Sequence, residues 1–174
     1  MAELKLLKNL EILQFLESLR RRLLRKANRH KIEMTRKWVS KFTKEAGVYA
    51  LIEHNLIVYA GESGSLKKRM GHLLITQQHI VRRTIGAKYY SHIKGYKAAT
   101  ERKPFPPHIE RCVNKHLSSK FTLAIMEVPL GRKELEEYIV DKIFLETRLN
   151  KRTKSRMLEG PSYKAKKVLQ KVKT

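Results

Sequence analysis

Two charged side chains in this sequence occupy positions from which they could bind a phosphate or a metal ion. The first is Arg69. Ser65 is a suitable N-cap for a helix predicted over residues 66–81, and this puts Arg69 near the start of that helix. A cation beside the free backbone N–H groups of a helix N-terminus makes a good phosphate site. The alternative is an ordinary solvated arginine.

The second charged side chain is Glu136, in a helix predicted over residues 133–148. The apolar residues of this helix spread over an arc of about half its circumference at ~100° per residue. They are Leu135, Ile139, Val140, Ile143 and Phe144, and Glu136 falls near the middle of their arc. A buried, unpaired carboxylate is costly. We therefore expect Glu136 to have a partner, which is a metal ion, Arg69, or another arginine or lysine in a buried ion pair.

Three predicted strands must position these helices. Two β-rich runs, residues 48–52 and 56–60, flank a short turn and predict a hairpin. Residues 121–128 form a third predicted strand, which Pro129 and Gly131 end. The order β-β-α, then β-α, predicts an α+β domain with a small antiparallel three-stranded sheet flanked by helices.

The predicted domain occupies residues 44–150 and contains a basic insertion at about 79–120. Tyrosines and Phe105 lie among the cations of this insertion, and such rings either stack on nucleic-acid bases or fill a minor core. Residues 1–43 are predicted to form a helical basic extension, whose leucines recur at helical spacing. This apolar stripe either packs on the domain or forms a homodimer contact. Residues 151–174 are a basic tail.

The composition favours an anionic partner. The 174 residues include 39 Lys+Arg and 16 Asp+Glu, a net charge of +23, which is typical of nucleic-acid-binding proteins, ribosomal proteins among them. A membrane surface would be the competing partner, but we expect none, because the sequence has no signal peptide and no apolar run long enough to span a bilayer. Cys112 is the only cysteine, so a cytoplasmic location is expected.

Several short motifs together resemble the GIY-YIG nucleases. Gly47-Val48-Tyr49 and Tyr59-Ala60-Gly61 are similar to the two tyrosine-bearing strands of that family, and Arg69 follows at the same interval that separates the two tyrosines. Leu135-Glu136, followed later by Asn150, resembles the family's glutamate and asparagine motif. The resemblance covers about residues 46–150, interrupted by the insertion.

This resemblance implies a metal-dependent endonuclease that hydrolyses phosphodiester bonds. Glu136 would hold one divalent cation, Mg²⁺ or Mn²⁺. Arg69 would bind the scissile phosphate. Tyr49 and Tyr59 would orient the attacking water, and one of them, which the sequence does not identify, would accept its proton. Asn150 would help to fix this corner of the site, or would only close the C-terminus of the preceding helix.

The sequence departs from the family at two positions. Many relatives have a lysine where this chain has Glu62, and a tyrosine or histidine where it has Leu73. The predicted helix places His72 and His79 on the same face as Arg69, and His72 is the candidate to accept a proton from a tyrosine. Two other functions remain open: a catalytically inactive nucleic-acid-binding protein of the same fold, and a basic structural protein that binds RNA.

We expect the basic side chains of the helix, insertion and tail to contact nucleic acid. Double-stranded DNA is the favoured partner and RNA is the alternative. The expected contact residues are Lys67, Lys68, Arg82, Arg83, Lys88, Lys94, Lys97, Arg102, Lys103, Lys151 and Arg152.

Overall fold

The computed structural model describes residues 2–150, with side chains from residue 9 onward. Lys151, Arg152 and the rest of the predicted tail lie outside the described residues. The elements are α1 (Ala2–Leu23), β1 (Arg29–Lys31), α2 (Arg36–Ser40), β2 (Gly47–Glu53), β3 (Leu56–Ser63), α3 (Leu66–Leu73), α4 (Ile80–Tyr90), α5 (Pro107–Lys120), β4 (Thr122–Glu127) and α6 (Arg132–Asp141).

The fold is α+β, as predicted, but the antiparallel sheet has four strands rather than three. Their order is β1-β4-β2-β3. The additional strand, β1, consists of Arg29, His30 and Lys31, all exposed, and it pairs with β4. A short charged strand has no apolar alternation for a sequence pattern to detect. It forms because β4 offers an unpaired edge. The helix expected over residues 1–43 therefore ends at Leu23.

A tight turn sets the register of the β2–β3 hairpin. His54 and Asn55 both have positive φ, at 47° and 65°, which is the conformation of a two-residue type I′ turn. The resulting register pairs Tyr49 with Gly61 and Leu51 with Tyr59. Because side chains alternate along a strand, both tyrosines project from the same face of the sheet.

Each face of the sheet has its own core. Tyr49, Leu51 and Tyr59 pack with apolar side chains of α2 to α5. On the opposite face, Val48 and Ala50 pack with side chains of α1 and α6. The two helices that carry Arg69 and Glu136 thus lie on opposite sides of the sheet.

The helix predicted over residues 66–81 is interrupted. Ser65 caps it as expected, but α3 ends at Leu73, and a turn of 3₁₀ helix, Thr76–Gln78, precedes α4. Arginines of α4 bind the carbonyls that the break leaves free: Arg82 Nη1 donates to the oxygen of Leu73 (3.2 Å), and Arg83 Nη1 donates to that of Gln77 (2.8 Å). These contacts join residues nine and six positions apart, beyond one helical turn, so helical periodicity could not predict the break.

The helix predicted over residues 133–148 also ends early, at Asp141. The chain then returns to the free edge of β3, where the N–H of Leu149 donates to the oxygen of Val58 (2.8 Å). Pairing with this edge requires the helix to stop. The alternative role of Asn150 as the end of the helix is therefore wrong.

The leucine stripe of α1 packs internally at its C-terminal end. Leu16, Leu19 and Leu23 are buried in the core shared with α6, whereas Leu10 is 52% exposed. Homodimer formation through α1 stays a prediction. Among the described helices, none combines the length and hydropathy needed to span a bilayer.

The aromatic residues of the insertion belong largely to the core. Phe105 is buried and lies over Gly86 of α4, while Tyr89, Tyr90 and Tyr96 are partly buried against the same core. The expectation that Phe105 stacks on a base is therefore wrong, because its ring is covered by α4. The insertion is part of the folded domain.

Gly86→Ala should test this packing. A Cβ on Gly86 would overlap the ring of Phe105, so we expect the free energy of unfolding to fall by about 1–3 kcal/mol, measured by urea denaturation. The control is Gly71→Ala, whose Cβ would lie 3.9 Å from Val39. It should stabilise the protein slightly, because Ala favours the helix by about 0.5–1 kcal/mol. Equal stability of the two variants would contradict the packing.

Candidate active site

The two tyrosines form the centre of the site. Their ring centroids are 6.0 Å apart. Tyr49 is completely buried, whereas Tyr59 retains 6% exposure. Gly61, which pairs with Tyr49 across the hairpin, has no side chain to block the Tyr49 ring: a Cβ there would lie 2.5 Å from the phenol oxygen. A glycine is therefore required two residues after Tyr59 for the phenol of Tyr49 to cross β3.

Arg69 reaches the tyrosines from α3. Its Nη2 donates to the backbone oxygen of Glu62 (3.4 Å), and its Nε is buried with no hydrogen-bond acceptor within the described residues. The charge of Arg69 lowers the pKa of both Tyr49 and Tyr59, although burial dominates and raises both pKa values overall. An orphaned buried N–H beside two phenols is suited to an anionic ligand.

The expected contribution of the α3 N-terminus is wrong. The N–H of Leu66 donates to the oxygen of Glu45 (2.9 Å), and the N–H of Lys67 donates to that of Thr43 (2.7 Å). Ser65 accepts the N–H of Lys68. These N–H groups are already paired, so they cannot also bind a phosphate.

Glu136 approaches the same cluster around the edge of β3. Its neighbours Leu135 and Ile139 are buried in the core on the far face of the sheet, and the Glu136 carboxylate is half-buried at the flank of that face rather than at its centre. Burial, with the carboxylate of Glu62 as the second cause, raises the pKa of Glu136 to about 7, and the charge of Arg69 lowers it. Glu136 in turn raises the pKa of both tyrosines. The structure thus places Tyr49, Tyr59, Arg69 and Glu136 in one electrostatically coupled cluster.

Glu62 lies beside Glu136 and is neutralised from α6. Its carboxylate accepts a hydrogen bond from Arg132 Nε at 2.7 Å. The exposed fraction of the side chain is 24% for Glu62 and 30% for Arg132. Arg132 precedes Glu136 by one helical turn. The positive charge of Arg132 therefore compensates the negative charge of Glu62, which lies near Glu136.

The histidine that contacts the tyrosines is His79 and not the candidate His72. Its Nε2 lies 2.8 Å from the phenol oxygen of Tyr49, and its completely buried ring packs against both tyrosines, with centroid distances of 6.0 Å to Tyr49 and 5.8 Å to Tyr59. His72 is only partly buried on α3, and its pKa is lowered by burial and by the charges of Arg69 and Lys68. The break after α3 turns His79 into the site. In the sequence, His79 lies on the predicted helix face that carries Arg69 and directly before the apolar pair Ile80-Val81, but neither signal predicts its contact with Tyr49.

Asn150 holds β3 beside Tyr59. Its Nδ2 donates to the oxygen of Ala60 (2.7 Å), and its Oδ1 accepts the N–H of the same residue (3.0 Å). The amide thus pairs with the strand edge as a backbone residue would. Asn150 acts on the position of Tyr59 through the strand that carries it.

The expected nucleic-acid contacts divide by exposure. The exposed members of the set are Lys68, Lys88, Lys94, Lys97, Arg102 and Lys103, while Lys67 is partly buried. Arg83 is 17% exposed and pairs with Glu101. Arg82 is wrong as a contact residue: it is 1% exposed, and its Nη2 donates to Glu110 (2.7 Å) and Asn114 (2.6 Å). A buried guanidinium with these partners is a structural cross-link between α4 and α5.

Glu136 fits a divalent cation that is shared with a bound ligand. Burial and the neighbouring Glu62 disfavour its ionised form, and a cation would relieve that cost. No cluster of three or more potential metal-ligating side chains occurs in the part of the chain that the structure describes. Mg²⁺ is commonly held by one or two carboxylates together with phosphate oxygens and water.

Comparisons of the chain with family models, with curated proteins and with solved structures found no match.

Gly61→Ala should displace Tyr49. The added methyl group would have to push the phenol off β3, so we expect a loss of about 1–3 kcal/mol in the free energy of unfolding, measured by urea denaturation. Gly64→Ala is the matched control, because a Cβ on Gly64 meets nothing within 4 Å. This control should change stability by less than about 0.5 kcal/mol. The predicted geometry is wrong if both variants are equally stable.

Glu136→Gln should change how stability depends on pH. The pKa of Glu136 is raised from 4.5 to about 7 in the folded protein, so its ionisation destabilises the fold fully above that pKa and not at all below the unfolded value. The variant should therefore be more stable than the wild type at about pH 8, and the difference should shrink towards about pH 4. Thermal unfolding measures both.

Proposed function

We propose that this protein is a metal-dependent endonuclease of the GIY-YIG type, which hydrolyses phosphodiester bonds in DNA. The observation that carries the proposal is the pair of phenols Tyr49 and Tyr59, whose ring centroids are 6.0 Å apart, together with Arg69 and Glu136, whose charges shift the pKa of both phenols. A stable fold gains little from burying two phenols, an orphaned guanidinium N–H and a carboxylate together. Perturbed pKa values of this kind are typical of active sites.

The residues divide the work of an in-line displacement at phosphorus. Arg69 would bind the scissile phosphate, with its free Nε as a donor to a phosphate oxygen. Tyr59, the more exposed phenol, would contact the attacking water. Glu136 would hold one Mg²⁺ or Mn²⁺ ion, which would stabilise the negative charge that develops on the phosphate and on the leaving oxygen.

The surface charge supports a nucleic-acid partner. The exposed lysines of α3, α4 and the segment between α4 and α5 would meet the phosphate backbone, and the net charge of +23 favours association with a polyanion. Double-stranded DNA is the partner we propose. Cleavage of both strands by one site per chain would require two copies of the protein.

A cleavage assay with Glu136→Ala tests the proposal. Supercoiled plasmid should be nicked or cut by the wild type with Mg²⁺ or Mn²⁺, and EDTA should prevent this. The variant should bind DNA with unchanged affinity but cleave at least about a hundredfold more slowly, the scale of losing one charge-stabilising group. Glu134→Ala is the control on the same helix and should cleave at the wild-type rate.

Two results would overturn the proposal. DNA binding without cleavage by the wild type, across both metals and several substrates, would favour an inactive nucleic-acid-binding protein of the same fold. Co-sedimentation with ribosomes at moderate salt, unaffected by Arg69→Ala or Glu136→Ala, would favour a basic RNA-binding structural protein.

A further inference from the structure

The two ring nitrogens of His79 have different partners. Nδ1 accepts the backbone N–H of Val81 at 3.3 Å, which makes His79 the N-cap of α4. Nε2 lies 2.8 Å from the phenol oxygen of Tyr49. A neutral imidazole carries one N–H, and Nδ1 cannot carry it while it faces a backbone donor. The proton therefore resides on Nε2, and His79 donates to Tyr49.

The surroundings of His79 keep the ring neutral. It is completely buried, and this burial is the main cause that lowers its pKa to about 3. The surrounding titratable groups also lower the pKa of His79, and they are Arg69, His72, Arg82 and Arg83. A ring in this environment is a poor base.

The same donor direction leaves a hydrogen free on Tyr49. The oxygen of Tyr49 already accepts a hydrogen bond from His79, so its own O–H is free to turn towards the neighbouring phenol of Tyr59, whose ring centroid lies 6.0 Å away. Tyr59 is the only one of these three rings that retains exposure, at 6%.

Building on the proposed function, we propose that His79 is a positioning residue that fixes the hydrogen-bond direction of the tyrosine pair. His79 donates to Tyr49, Tyr49 donates to Tyr59, and Tyr59 presents its oxygen to the attacking water. This arrangement answers the question that the sequence leaves open, because Tyr59 and not Tyr49 receives the proton.

In the step that follows, one O–H bond of water breaks and its proton passes to the oxygen of Tyr59, while the phenol proton of Tyr59 leaves to bulk water. The oxygen of the attacking water forms a bond to phosphorus. The bond from phosphorus to the leaving oxygen breaks with its electron pair, and the leaving oxygen takes a proton from bulk water. In the reverse arrangement, His79 would take the proton through Tyr49, and this requires an unprotonated Nε2. It would place an Nδ1–H against the N–H of Val81, so the capping hydrogen bond would be lost.

Two substitutions of His79 separate its two hydrogen bonds. In His79→Asn, the side-chain oxygen can take the place of Nδ1 and cap α4, but the shorter side chain cannot reach Tyr49. In His79→Gln, the amide N–H can take the place of Nε2, but the cap is lost. His79→Asn therefore retains the helix cap, and His79→Gln retains the hydrogen bond to Tyr49.

The proposal expects His79→Asn to keep its KM while kcat falls about tenfold, the effect of one lost hydrogen bond. His79→Gln should melt at a lower temperature and yet retain more of kcat than His79→Asn. The opposite order, with Asn active and Gln inactive in step with stability, would show that His79 serves only as a helix cap and would overturn the proposal. In a Tyr49→Phe background, His79→Asn should lower kcat no further, because the two residues act in series.

NMR of the ¹⁵N-labelled wild type tests the donor direction without DNA. His79 should be neutral and protonated on Nε2 from about pH 5 to pH 8, as its environment requires. A proton on Nδ1, or a charged ring in this range, overturns the inference whether or not the protein cuts DNA. The expected tautomer together with a wild type that does not cut DNA would overturn the proposed function, and with it the role of Tyr59, but not the hydrogen-bond direction.

Discussion

In the antiparallel pair of β2 and β3, Gly61 lies directly opposite Tyr49, and the phenol of Tyr49 passes over the backbone of the glycine. The rest of the site depends on this contact. The phenol can meet His79 only because β3 offers no side chain at that point, and Tyr59 then lies on the same face, diagonally across the hairpin. The tight turn at His54 and Asn55 sets this register. If β3 shifted by one residue relative to β2, the two tyrosines would lie on opposite faces of the sheet.

The site combines groups whose electrostatic demands conflict. Burial disfavours ionisation of Glu136 and of both tyrosines, and each of the negative charges would disfavour the others. Arg69 is the cation that acts on all three, and Arg132 neutralises Glu62 at the edge of the cluster. Such an arrangement costs folding stability, because burial of polar groups is only partly repaid by their hydrogen bonds. A bound phosphate and cation would complete the balance of charge, which is why we interpret the cluster as a site for a phosphodiester.

A buried arginine supports this geometry from outside the cluster. Arg82 joins the end of α3, the 3₁₀ turn and α5 through its bonds to Leu73, Thr76 and Glu110. The break that these bonds stabilise lets the chain change direction before His79. The same break ends α3 soon after Arg69. A single irregularity in the helix therefore brings His79, in addition to Arg69, towards the tyrosines. The insertion that contains Arg82 and Phe105 thus contributes to the framework of the site as well as to the exposed basic surface.

The candidate residues Tyr49, Tyr59 and Arg69 were selected by the resemblance of their motifs to a nuclease family. Local patterns in the sequence were enough to predict the hairpin, the third strand of the sheet, the cap at Ser65 and the candidate residue Glu136. These features depend on strand alternation, turn residues and helical spacing, which act over a few residues. Strand β1, the early end of α6, the burial of Arg82 and the placement of His79 were decided by tertiary structure. Each of them results from a hydrogen bond or ion pair between residues far apart in the chain: β1 with β4, Asn150 with Ala60, Arg82 with Glu110, and His79 with Tyr49. Periodicity carries no information about such partners, because they become neighbours only when the sheet and its helices pack together.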